Sequence, residues 1–420
     1  MANMVFLSIA IPLGYFFLPL QLSFLQATGH SLNVTLGVGI VTLFFLVWIM
    51  LSQSSAVRRQ DLVLPIAFSA SLSLSLLFNL SSISFIPVPV VLGIFSSVFF
   101  AIGSYVTGLV YCCAFRAGWA LAALSFAGAL ILAIAFLSFS GSGALTQTEE
   151  IAGSYYQFMG DIAAFLGIVV LVALRDRPLR YLILFVTVGI LVGNNSRASL
   201  GAFAVAFLFL PGFSLLKFAS LGIAGGTWMF LDQVVDMIVS FPGLTESSGR
   251  IVRTVVGLAS GAADASASER VLYFRHALSV IADSPVSGEV GYELRGSGVG
   301  TYTHNLFHVW ACYGLVPFMM LLWAMLNPLA MWWRERKHAL SSGSLPSSFR
   351  IPVLVFVTTL LLLFRNPDGF FVFFLLGMAN APVTFCPGAR RTSFGVGRQS
   401  PRPVHWSGAF RSQPVLVGGM

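Results

Sequence analysis

The sequence predicts an all-α integral membrane protein, a polytopic bundle of about twelve transmembrane helices with one large extramembrane loop containing short helices. Three observations carry this. Residues are 57% hydrophobic and only 9% charged, with mean hydropathy +0.88, whereas a soluble domain carries about 25% charged residues. Apolar runs of near-spanning length recur as far as residue 386, and a spanning helix needs about 20 such residues. Basic residues are divided unevenly between successive loops, the pattern that orients membrane helices.

Taken in order, the candidate spans lie near 5–25, 33–51, 62–78, 88–111, 118–139, 152–174, 180–193, 198–210, 213–231, 306–333, 351–366 and 370–386. The first run lacks a basic n-region and an A-x-A site, so it is expected to be the first span rather than a cleaved leader. Runs 180–193 and 198–210 are short and separated only by Asn194, Asn195, Ser196 and Arg197. They make either a tight outer hairpin or a re-entrant pair. The chain is thus expected to divide into an N-terminal bundle, 1–231, a large loop, 232–305, and C-terminal spans, 306–386. The tail, 387–420, is rich in Arg, Ser, Gly and Pro without helical periodicity. It is expected to be disordered and drawn to anionic lipid. No internal repeat is visible.

The formal charge of +8 is explained by where the basic residues fall. Alternating spans place Arg58, Arg59, Arg116, Arg175, Arg177, Arg180, Lys217, Arg334, Arg336, Lys337 and Arg350 on one side. Arg390, Arg391, Arg398, Arg402 and Arg411 of the tail join them, making 16 of the 23 Lys and Arg residues. Loops 26–32, 79–87 and 140–150 on the other side hold none. The positive-inside rule then puts both termini in the cytoplasm and loop 232–305 outside. Nucleic acid is not needed as a partner. The four cysteines lie in or beside apolar runs without metal-ligand spacing and read as small hydrophobes.

Polar chemistry is concentrated at the end of the loop. Residues 269–314 hold Arg270, Arg275, Arg295, His276, His304 and His308, with Glu269, Asp283, Glu289 and Glu293. Ser266 and Glu269 have capping-box spacing. Val271, Phe274, Leu278 and Ile281 follow at helical spacing, predicting an amphipathic helix over 269–283, on the membrane surface or against the bundle. Pro285 ends it. Gly288, Gly291, Gly296, Gly298 and Gly300 predict a flexible, backbone-exposing segment before a helix that opens near His304.

Arginine stays charged and grips phosphate oxygens through a planar fork, and histidine transfers protons near neutral pH. The outer side supplies seven arginines and, in the polar stretch, the histidines His276, His304 and His308. An enzyme outside the cytoplasm has no nucleotide there, so a lipid diphosphate carrying a glycan is the expected energy source. The turn Asn194-Asn195-Ser196-Arg197-Ala198-Ser199-Leu200 resembles the "SR" hairpin of the O-antigen ligase and Wzy-type polysaccharide polymerase family. Arg270, Tyr273, Ala277, Leu278, Ile281, Pro285, Gly288 and Gly291 stand at spacings similar to that family's outer-loop signature. His304-Asn305 followed by Gly314-Leu315 is similar to its His-Asn at the next span.

That resemblance, covering roughly 194–330, implies inverting glycan transfer from undecaprenyl diphosphate on the periplasmic face of a bacterial inner membrane, without metal, nucleotide or other cofactor. Arg197, Arg270 and Arg275 would bind the diphosphate, Asn305, Gly288 and Gly291 would belong to the binding site, and His304 would act on the acceptor hydroxyl. Glu269, Asp283, Glu289 and Glu293 are the alternative bases. The implied partners are the lipid-linked glycan, the bilayer, a chain-length regulator and a flippase. A polymerase and a ligase acting on the lipid A core differ in an acceptor that these residues do not identify.

Other readings compete. His304 and His308 are spaced for one helix face, but neither a third ligand nor the glutamate of a metalloprotease helix accompanies them, so no metal site is assigned. Asp161, inside an apolar run, is costly there and is expected either to pair with a neighbouring helix or to line the glycan cavity. Tyr155 and Tyr156 read as an aromatic belt, and Arg365 with Asp368 as a local ion pair. A secondary transporter would also suit twelve spans, but it would carry midplane charges and a half-to-half repeat.

Overall fold

The computed structural model describes residues 59–79, 101, 103–109, 155–174, 178–193, 196–210, 212–219, 265–293, 305–342, 346–363 and 370–381. The expected spans 5–25, 33–51 and 118–139, the loop before residue 265, Gly296, Gly298, Gly300, His304, the Arg365–Asp368 pair and the tail lie outside the described residues, as do the side chains of Tyr155 and Tyr156. Secondary structure among the described residues is entirely helical. The elements are α1 (Arg59–Phe78), α2 (Tyr155–Ala173), α3 (Leu179–Gly193), α4 (Arg197–Leu208), α5 (Ala265–Asp283), α6 (Phe307–Tyr313), α7 (Leu315–Ser342), α8 (Pro346–Leu363) and α9 (Phe370–Asn380). Shorter helical stretches occupy 103–109 and 214–219.

Helices α2 and α9 form the centre. Apart from Asp161 and Asn380, residues 159–172 and 371–381 are apolar on every face, which suits helices surrounded by others, and they are buried throughout. Phe165 meets Phe371 and Phe374 edge-to-face, with ring centroids 5.8 and 5.7 Å apart, the geometry favoured by the ring quadrupoles. Helix α3 packs along α2 where Thr187 fills the space beside Gly167. A Cβ on that glycine would stand 2.5 Å from Thr187 Cγ2. A second close crossing joins Gly108 to the backbone of α9 and Gly377 to that of Tyr105. Such small-residue contacts let helix backbones approach closely.

The last three long helices alternate in direction, and polar contacts mark their levels. At one end, Arg350, at the start of α8, is buried and donates from Nε to Ala379 O (2.9 Å) and from Nη2 to Ala381 O (2.6 Å). Its guanidinium closes the C-terminus of α9, where helix carbonyls lack partners and cations are favoured. Asn380 donates to Ala324 O (2.8 Å) and accepts from Asn327 Nδ2 (2.7 Å), tying the same level to α7. At the other end Leu306 N–H donates to Leu361 O, 2.7 Å away, joining the last turn of α8 to the lead-in of α6.

The single span expected over 306–333 is two helices. Gly314 separates α6 from α7 with φ +84°. A Cβ there would lie 2.0 Å from Val286 O, so the break accommodates the turn that follows α5. Span length also differs from expectation. Among the described residues one helix segment, Leu315–Arg334, is long and apolar enough to cross a membrane. Six other apolar segments, from Leu62–Phe78 to Phe371–Asn380, run 10–17 residues.

The outer faces of the peripheral helices are apolar. On α7, Val316, Met319, Trp323, Leu326, Leu329 and Trp333 are all exposed and recur at three- and four-residue spacing. On α1, Val63, Ile66, Leu74, Leu77 and Phe78 are exposed, and on α3, Leu182, Phe185 and Val192.

Candidate functional site

Two polar clusters occupy the end of the bundle where α8 finishes and α6 begins. The first is built on Asp161, 4% exposed in an otherwise apolar helix. Ser199 Oγ donates to Asp161 Oδ1 over 2.5 Å, and Ser196 Oγ lies 2.6 Å from Ser199 Oγ. A hydroxyl has one proton, and that of Ser199 is committed to the carboxylate, so Ser196 is the donor in the second bond. The three groups form one directed chain, Ser196 to Ser199 to Asp161. Gly160 makes the approach possible: a Cβ there would meet Ser196 Cβ and Oγ at 2.5 Å. Of the two expectations for Asp161, pairing with a neighbouring helix is the one observed.

Ser196 and Ser199 bracket Arg197, the first residue of α4, whose side chain lies outside the described residues. The level of this cluster follows from Phe165, which packs on the first turn of α9 and is one helical turn, about 6 Å, from Asp161. Helix α9 starts at the level where α8 ends. The Arg197 turn and the Leu306–Leu361 contact therefore share one end of the bundle.

The second cluster joins α5, the turn after it and α6. Helix α5 begins at Ala265, so Ser266 sits in its first turn rather than before it. Its buried stripe is Ala277, Val280 and Ile281, with Phe274 half-buried and 5.5 Å from the Phe307 ring. Val271 and Leu278, expected on that stripe, are exposed instead. Arg270 and Arg275 are both exposed. Five residues apart, they stand about 140° apart around the helix. Arg270 continues the stripe of Phe274 and Ala277, and Arg275 lies on the opposite face.

The expected flexible segment is, over 284–291, a pinned turn. Gly288 and Gly291 are buried, with φ of +64° and +77°, a region glycine enters without steric cost. Ser287 O accepts from Ser75 Oγ (3.0 Å) and Asn79 Nδ2 (3.3 Å). Trp310 Nε1 donates to Pro285 O (2.9 Å), Glu289 N to Ala311 O (2.7 Å) and Leu315 N to Val286 O (3.3 Å). A Cβ on Gly288 would sit 2.4 Å from Gly314 N. The two glycines of the signature thus let the turn seat against α6 and α7.

Asn305 Oδ1 accepts from Phe307 N (3.0 Å) and starts α6. His304 lies outside the described residues, three positions before the helix opens, so the expected shared helix face with His308 is not a feature of α6. His308 is 2% exposed, with Nδ1 3.3 Å from Tyr292 Oη and Nε2 3.5 Å from Cys312 Sγ. The Cys312 thiol also reaches toward Glu293 Oε2 at 3.9 Å. The ring of His276, exposed on α5, is tilted against that of Tyr292 with centroids 5.6 Å apart. Among the described residues no group of three His, Cys, Asp or Glu side chains is arranged to hold a metal ion.

Sequence reasoning missed the Asp161–Ser199 contact and the burial of His308. Their signals were a carboxylate in an apolar run and a tyrosine–histidine pair on either side of a glycine-rich segment. No protein-family model matches the chain, and no curated protein matches it.

Proposed function

We propose that this chain is a membrane glycosyl-transferring enzyme of the O-antigen ligase and Wzy-type kind, a polymerase joining undecaprenyl-diphosphate-linked glycan units on the periplasmic face. The twelve-span bundle, with both termini cytoplasmic, belongs to this reading. The observation that carries it is the pairing of environments. Apolar side chains line the outer faces of α1, α3 and α7, while the Arg197 turn and the α5–α6 signature converge on one end. Large exposed apolar surfaces are rare on monomeric soluble proteins. On α7, Phe318, against which Trp310 of α6 stacks with centroids 4.8 Å apart, and the Trp332–Trp333 pair stand about 22 Å apart by helical rise.

The chemistry follows from the residue types. Arg270, reinforced by Arg197, would hold the diphosphate leaving group by charge-assisted, forked hydrogen bonds. His304 would take the proton of the acceptor hydroxyl as it attacks the anomeric carbon and the lipid diphosphate departs from the opposite face. The buried Asp161–Ser199–Ser196 chain would fix the start of α4, whose first residue is Arg197.

The test is transfer between purified lipid-linked glycans by the purified protein in detergent, without nucleotide or metal. Lengthened lipid-linked glycan supports the polymerase, and transfer only to a lipid A core acceptor supports the ligase. No transfer in detergent, together with uptake of labelled glycan by vesicles carrying the protein, assigns the chain to transport and ends the proposal.

A further inference from the structure

Helix α5 has three faces rather than two. One, with Ala277, Val280 and Ile281, is buried against the bundle. A second is polar: Glu269, His276 and Asp283 are exposed and follow each other at seven-residue intervals, which keeps them on one line. The third is exposed but apolar. Val271 and Leu278, 51% and 41% exposed and also seven apart, flank Arg275, and Ala282 extends their line. A helix between protein and water needs two faces, and the third requires another apolar phase.

We infer that α5 lies at the lipid–water boundary, with the Val271–Arg275–Leu278 face in the outer-leaflet headgroup region and Arg275 on phospholipid phosphate. Two further observations select a bilayer as the occupant. The turn after α5 carries Val286, 69% exposed, and its carbonyl is bonded to Leu315. The apolar face therefore leads to Val316 and the outward stripe of α7. A single guanidinium amid apolar side chains also matches a surface of phosphates above acyl chains, since arginine snorkels to such a level. The two arginines then divide their work. Arg275 anchors the helix in lipid, and Arg270, on the opposite face, is left for the site.

The inference rests on the membrane half of the proposed function, not on glycan transfer. It is tested by single cysteines at Val271, Leu278 and His276, with Leu272→Cys as an additional exposed position. The background has Cys112, Cys113 and Cys386 replaced by alanine and keeps the buried Cys312. The full-length protein, carrying an environment-sensitive fluorophore at each site, is placed in phosphatidylethanolamine–phosphatidylglycerol vesicles. A spin-labelled lipid with its quencher near the headgroup and aqueous iodide are then compared. The expected result is several-fold stronger lipid quenching at 271 and 278 than at 276, with the order reversed for iodide. Iodide quenching at 271 and 278 equal to that at 276 would put the face in water and overturn the inference. Protection from both quenchers would mean that protein covers it, which overturns it equally. A chain that does not enter vesicles defeats the membrane reading itself, and a chain that enters them without transferring glycan leaves this placement to be decided by the quenching.

Discussion

The two ends of the bundle use the same residue type in opposite ways. At one, Arg350 is 2% exposed and directs its guanidinium at the carbonyls of Ala379 and Ala381 at the end of α9, beside the Asn327–Asn380 pair. At the other, Arg270 and Arg275 are exposed on α5, within a segment that also brings together His276, Tyr292, His308 and Glu293. A buried arginine bonded to carbonyls holds helices together. An exposed arginine beside titratable groups is positioned to meet an anion from outside. Charge alone does not separate structure from function here; burial and bonding partners do.

On the proposed function, the sharpest contrast between the ends is catalytic. His304→Ala is expected to slow transfer by about 10²–10⁴-fold, the usual contribution of a positioned base, while donor binding persists. A steady-state assay with purified lipid-linked glycans measures it. Near-wild-type turnover would pass the role to Glu269, Asp283, Glu289 or Glu293. Arg197→Ala should reduce transfer by about thirtyfold to several-thousandfold, corresponding to about 2–5 kcal/mol for a lost charge-assisted partner. Arg197→Lys should rescue poorly, since a point charge does not reproduce the fork.

The Arg350 end should respond in stability. Arg350→Ala removes two charge-assisted bonds and is expected to cost about 2–4 kcal/mol, seen as a lower melting temperature and less protein extracted from membranes. An unchanged melting temperature would erase the distinction drawn between the ends. A smaller effect is expected at Asp161, which touches both categories. Asp161→Ala should raise KM for the lipid-linked donor by about tenfold, or about 1.4 kcal/mol, with kcat much less affected. Asp161→Asn keeps an acceptor for Ser199 and should fall between. A fall in melting temperature with no change in KM would make the Asp161 chain purely structural.

Helix positions were legible in the sequence because charged residues and glycines bound the apolar runs. The run expected at 62–78 is helical over Arg59–Phe78, and that at 180–193 over Leu179–Gly193. What the sequence hid depends on tertiary partners. The apolar run 306–333 continues through Gly314, and only the approach of Val286 O explains the break. On α5, apolar residues occupy two faces, so hydrophobicity alone could not decide between the Val271–Leu278 line and the Ala277–Ile281 line. Arg350 was read as one more basic residue on the cytoplasmic side, because nothing local announces its bonds to Ala379 and Ala381. In the site, Gly288 and Gly291 stood out by spacing, whereas their burial against α6 and α7 requires the folded turn.

The most direct test of the difference between the ends measures melting temperature and transfer rate together on Arg270→Ala and Arg350→Ala. The account predicts that Arg270→Ala melts with the wild type and loses at least about thirtyfold in transfer, the lower bound for losing a desolvated charged partner. Arg350→Ala should melt lower and, where still folded, keep its turnover. Full transfer by Arg270→Ala, or a melting loss as large as that of Arg350→Ala, would contradict it.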